Sequence, residues 1–187
     1  NFTGAPRTGN LDDGYTAVSL NNVFGSTGVN INGTIYNTMY VGTNGLITFN
    51  SGVTAYTPAA LTSLGQPAIA PFWTDIDLNK GGQIYWAFDT ANNRIVITWH
   101  NVAPYSGSGT DSFQVVLTNT GAGDMNVDFI YGSIGFTDGF KGNAQVGVAL
   151  GGSQVLLPGS GVAGALSAYP STDFSTQDQA GGWSMSF

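Results

Sequence analysis

The sequence predicts an all-β domain, an antiparallel, jelly-roll-like β-sandwich closed by long Gly/Ser-rich terminal loops. Three observations carry that expectation. Apolar and polar residues alternate with a period of two in segment after segment, the spacing that sends successive side chains to opposite faces of a strand. Short Gly/Asn/Asp clusters punctuate these segments at turn positions. The chain has 28 Gly, and its 11 acidic residues are all Asp, so the Glu, Lys and Arg that usually surface a long helix are scarce.

The elements follow in order. Residues 15–20 are expected to form a short strand. In 33–49, Ile35, Met39 and Val41 alternate with Tyr36, Thr38 and Tyr40, Thr43-Asn44-Gly45 offers a turn able to adopt positive φ, and 46–49 returns as the second arm of a hairpin. Residues 68–76 read as a further strand. In 83–100, Ile84, Trp86 and Phe88 share one face, 89–93 turns, and Ile95, Ile97 and Trp99 share one face of the return. A third pair joins 112–119, with Phe113, Val115 and Leu117 alternating, to 125–131, with Met125, Val127, Phe129 and Tyr131 alternating. Strands are also expected at 145–150 and over the last five residues, while 55–64 and 163–169 could each hold a helical turn. Residues 1–14 and 151–182 lack alternation and are expected to wrap the sandwich as loops. No linker or repeat divides the chain, so one domain is expected over 1–187.

The 187 residues, 42 % of them hydrophobic, suffice for one core that buries about 70 % of the surface of the unfolded chain. Charged residues are only 8 %, and four cations against 11 acids give a net charge of −7. Four scattered cations cannot neutralise a run of phosphates or hold an anionic membrane, so nucleic acid and membrane insertion are poor expectations. No apolar run approaches the roughly 20 residues that span a bilayer. The low charge points to a secreted or cell-surface protein; the absence of Cys points to a prokaryotic one, since small eukaryotic extracellular modules more often carry disulfides. The opening at Asn1, without Met, suggests a processed or excised chain.

Five segments in order resemble the nidogen-like (NIDO) family: MYVGTNGLITF at 39–49, AIAPFWTDIDL at 68–78, RIVITWHNV at 94–102, DSFQVVL at 111–117 and DMNVDFIYGSI at 124–134. Leu11-Asp12-Asp13-Gly14 and VLLPGSGVAGAL at 155–166 are similar to secreted bacterial members. The lack of Cys departs from animal members and leaves the setting open. The resemblance implies an extracellular β-domain for cell–matrix or cell-surface adhesion with no shared enzyme chemistry, and it fixes no binding residues; the expected partner is an extracellular protein or glycan, or further copies of the chain.

Candidate sites come from the residues themselves. Asp75 and Asp77, two apart on the expected strand, would point to one face and repel unless a cation or donor joined them. Ca²⁺ suits such a pair, with Asp12, Asp13 and Asn79 able to complete an oxygen shell; alternatively both carboxylates accept backbone N–H bonds and fix a loop. Tyr36, Tyr40 and Tyr85 lie opposite the apolar strand faces and are either packed or an exposed patch that stacks on sugar rings, with Tyr105, Tyr56 and Trp183 as further candidates. The final strand, Trp183, Met185 and Phe187 alternating with Ser, is either an ordinary edge strand or an element that pairs with another copy to build a fibre. For enzymes the signals are poor. His100 has no accompanying nucleophile motif, and Asp89-Thr90-Ala91 is half of an aspartic-protease-like signature placed in a turn. A non-enzymatic adhesion domain is therefore expected, with a fibre subunit and a carbohydrate-binding module as alternatives.

Overall fold

The structure, a computed structural model, describes residues 10–187. Two antiparallel sheets face each other across a common core. One contains β1 (Tyr15–Ser19), β4 (Thr38–Gly42), β5 (Ile47–Thr48), β6 (Ala68–Trp73), β11 (Gln145–Ala149) and β12 (Val155–Leu156) in the spatial order β1-β4-β5-β6-β11-β12. The other contains β7 (Gln83–Asp89), β8 (Arg94–Val102), β9 (Asp111–Gly121), β10 (Asp124–Ile134) and β13 (Gly182–Ser186) in the order β13-β10-β9-β8-β7. A small ribbon pairs β2 (Val29–Ile31) with β3 (Thr34–Tyr36).

The five-stranded sheet is the part of the molecule that period-two alternation dictates most directly. Ile84, Ile95, Ile97, Trp99, Phe113, Val115, Leu117, Val127 and Phe129 all lie on its buried face, in register across the β7–β8, β8–β9 and β9–β10 ladders. Trp99 stacks on Phe113 at 5.1 Å, and Phe113 meets Phe72 of the opposite sheet at 5.5 Å. Two buried hydrogen bonds cross the interior: Trp99 Nε1 donates to Gly42 O at 3.1 Å and the Tyr131 hydroxyl to Pro71 O at 2.7 Å. Each gives a polar atom of an aromatic side chain the partner that burial demands.

In the six-stranded sheet every residue of β6 is buried. Ile69 and Phe72 face the main core, while Ala68, Ala70 and Trp73 join Leu46, Leu61 and Ala149 in a second cluster on the outer face. A short 3-10 helix, Leu61–Leu64, supplies Leu61 to that cluster. A strand covered on both sides reads as a continuous apolar run, as AIAPFW does. A second 3-10 helix, Ala165–Ser171, packs Leu166 and Tyr169 against the core, so each of the two expected helical turns is a 3-10 segment.

The structure corrects two strand expectations. The segment 33–49 is not one hairpin: β3 pairs with β2, β4 joins the large sheet, and Ile35 is exposed while Met39 is buried. Only 38–48 forms the expected hairpin, closed by Gly45 at φ 77°. The strand expected at 68–76 ends at Trp73, and Ile76 makes only an isolated bridge to Pro104. Asp75 and Asp77 therefore belong to a loop. Of the terminal segments, 1–9 lie outside the described residues, and 151–182 contains β12 and the second 3-10 helix.

Candidate functional site

The loop that follows β6 is held by backbone and side-chain bonds to three other segments. Thr74 N donates to Asn44 O and Ile76 N to Asn44 Oδ1, at 3.1 and 2.8 Å. Thr74 Oγ1 accepts Gly139 N, and Asp75 O accepts Tyr105 N. These bonds replace the ladder that would have continued the strand, and they fix the position of Asp75. The N-terminal segment arrives at the same place. Asn10 Oδ1 accepts the amides of Asp12 and Asp13, an Asx-type turn. Leu78 N donates to Leu11 O, Gly14 N to Thr43 Oγ1, and Asn44 Nδ2 to Asp13 Oδ1 at 2.9 Å.

The result is an acidic cradle in which one carboxylate oxygen from each of Asp12, Asp13 and Asp75 lies within 4.8 Å of the others. Asp75 is 3 % exposed, and its Oδ1, like Oδ1 of Asp12, is buried without a hydrogen-bond partner. Burial, reinforced by Asp13, Asp12 and Asp77 and opposed by Lys80, pushes the Asp75 carboxyl up to about 7. Asp12 is raised too, chiefly by burial and then by Asp13 and Asp77. Among the described residues the ion pair is elsewhere, between Arg94 and Asp89 at 2.7 Å. Lys80 at the rim donates to Tyr105 O and sits 4.9 Å from the centre of the Tyr105 ring. Asp12, Asp13, Asp75, Tyr56, Tyr105 and Phe140 together line a cavity of about 150 Å³.

Of the four carboxylates that the sequence offers for a metal, the structure groups three. Asp77 turns away and closes a local turn instead, where its Oδ1 accepts both N and Nδ2 of Asn79 at 2.9 Å. Tyr105 joins the cradle rim, edge-on to Phe140 at 5.1 Å. Tyr36, Tyr40 and Tyr85 are carried by β3, β4 and β7, which belong to three different sheets. Tyr36 packs edge-on against Phe49 and Tyr40 against Tyr15, both at 5.9 Å. Trp183 is buried and stacks on Phe129 at 5.0 Å, while Met185 and Phe187 pack against the core from the edge strand β13 and the residue after it.

Sequence reasoning missed Asn44 as the hub of the cradle and Gly139 as its floor; a Cβ on Gly139 would lie 2.0 Å from Asp75 O. It also missed Asp111, which is fully buried, accepts Gly135 N and Phe136 N through Oδ1, and leaves Oδ2 unpartnered. Only the Asn-Gly turn carried a local signal for any of these.

Alpha-tectorin of Mus musculus is 32 % identical over 148 residues, covering 64 % of this chain and 7 % of its own length. Human alpha-tectorin is 30 % identical with the same coverage. Dendrite extension defective protein 1 of Caenorhabditis elegans is 27 % identical over 155 residues, 69 % of this chain and 13 % of its own length. The chain thus spans a small part of these relatives, and no solved structure matches it. The family described as NIDO related matches residues 4–187, and the chain belongs to that family.

Proposed function

We propose that this chain is a non-enzymatic extracellular domain of matrix or adhesion type, secreted or displayed at a cell surface, that contributes a protein- or glycan-binding surface to a longer protein. The observation that carries this reading is the NIDO-related match along 4–187, which takes in both sheets and the loops that form the cradle. Two local facts support it. His100 is exposed near the end of β8 with its Nε2 3.2 Å from Asn101 Nδ2. Asp89, at the turn that bears the protease-like tripeptide, is bonded to Asn92 and Arg94. Each has a local partner of its own, at a strand end for His100 and within the turn for Asp89.

The test is binding of the purified chain to immobilised extracellular-matrix proteins and to a glycan array. Saturable binding to at least one is expected; none across both panels at micromolar concentration would overturn the reading. A second reading, self-assembly through β13, is favoured by that strand's place at the edge of its sheet. Sedimentation velocity over a range of concentrations tests it: growth in size with concentration is expected from assembly, and an unchanging monomer contradicts it.

A further inference from the structure

We propose that Asp12, Asp13 and Asp75 bind one Ca²⁺ ion, which ties the segment before β1 to the loop after β6.

Two oxygens in the cradle have nothing to bond. Oδ1 of Asp12 and Oδ1 of Asp75 are both buried and unpartnered, and a buried polar atom left unsatisfied carries its full desolvation cost, most of all when charged. Carboxylate oxygens of Asp12, Asp13 and Asp75 lie within 4.8 Å of one another, so the arrangement repels itself in the ionised state. Proteins seldom hold three carboxylates together, partly dehydrated, without a positive partner. The nearby cation, Lys80, directs its ammonium to Tyr105 O. Hydrogen bonds hold the cradle in place: Asn44 Nδ2 donates to the Asp13 carboxylate from one side, and Tyr105 N holds the backbone carbonyl of Asp75 from the other.

The chemistry of the donors selects the ion. All three are hard carboxylate oxygens, and the lining contains neither Cys nor His, which disfavours zinc and copper. Calcium bonds of about 2.3–2.6 Å place oxygens that share one ion up to about 5 Å apart, and the three carboxylate oxygens, within 4.8 Å of one another, fall in that range. Three carboxylates can offer up to six oxygens, and the opening toward Tyr56, Tyr105 and Phe140 admits water for the rest. A site with this few protein ligands belongs with extracellular modules, whose dissociation constants are about 10⁻⁴–10⁻³ M.

The test compares thermal melting of the whole chain in EDTA and in millimolar Ca²⁺, for the wild type and for Asp75→Asn. A rise of several degrees is expected for the wild type and none for the variant, whose stability in EDTA should equal or exceed that of the wild type because a buried repulsive charge is gone. A structural acid with no metal role predicts the opposite pattern: no Ca²⁺ response in the wild type, and a less stable variant. Should Asp75→Asn fail to fold, Asp12→Asn serves instead. Tb³⁺ luminescence supplies the second readout, since Tyr56 and Tyr105 line the cavity and can sensitise the ion. Emission that Ca²⁺ displaces and that the Asp variant lacks is expected; no sensitised emission together with no shift in melting overturns the proposal.

Discussion

Asn44 and Asp13 are joined by a hydrogen bond of 2.9 Å, and the same Asn44 side chain accepts the amide of Ile76 at 2.8 Å. One buried amide therefore clamps the N-terminal segment and the loop after β6 against the β4–β5 turn. Asn44→Ala should cost about 1–3 kcal/mol, because it leaves the Ile76 amide without an acceptor in a buried site. Urea denaturation measures the loss, and Ca²⁺ affinity should fall with it.

Gly45 completes the same turn. Its φ is 77° and a Cβ there would lie 1.9 Å from the carbonyl oxygen of Phe72. Gly45→Ala combines an unfavourable left-handed conformation with a backbone clash, and should destabilise the chain by at least about 2 kcal/mol in urea denaturation. Gly65, also at positive φ but with open space around it, is the control: Gly65→Ala should cost only the conformational part, about 1–2 kcal/mol.

Asp111 makes stability depend on pH. Burial raises its carboxyl to about 7, against the opposing effect of its bonds to Phe136 and Gly135. The folded chain therefore binds that proton more tightly than the unfolded chain. The associated stability is fully present below the unfolded value near 4 and is lost as pH rises toward 7, with a slope of up to about 1.4 kcal/mol per unit. Asp111→Asn keeps an acceptor oxygen for the two amides and removes the titration. Denaturation in EDTA at pH 5 and pH 8 should show the variant gaining on the wild type at the higher pH; a difference that does not change with pH would contradict this role for Asp111.

Tyr131 reaches across the sandwich to Pro71 O from a fully buried position, and burial holds its phenol well above the usual range and so protonated. Tyr131→Phe preserves the ring contacts with Tyr169 and Phe129 and deletes only the donor. A loss of about 1–2 kcal/mol is expected from chemical denaturation.

The two long hairpins, β7–β8 and β9–β10, are legible in the sequence because their alternation is local and their turns are short. The order of strands in the large sheet is not. β1 pairs with β4 and β6 with β11, and no local pattern encodes partners so far apart. The end of β6 escapes the pattern because Ile76 fits the period of Phe72 and Thr74, whereas the backbone there is taken by Asn44 and Tyr105, and the Thr74 hydroxyl by Gly139 N. Asp75 and Asp77 look equivalent in sequence for the same reason; what separates them is Asn79, which completes a turn on Asp77 alone. Asp12, Asp13 and Asp75 can be grouped from sequence as candidate ligands, but only folding shows which oxygens remain unbonded. Asp111 stands at the start of β9 after a Gly/Ser/Thr loop, where a carboxylate reads as solvent-facing, and nothing local marks it as buried.

Hydrogen exchange, measured amide by amide in EDTA and in millimolar Ca²⁺, tests most directly whether one cation joins the N-terminal segment to the loop after β6. Slower exchange on adding Ca²⁺ is expected at Gly14, Ile76, Leu78 and Tyr105, whose amides bond within or across the cradle, with little change in β8 and β9. Identical exchange in the two conditions, or protection spread evenly over both sheets, would contradict a cation-bridged cradle.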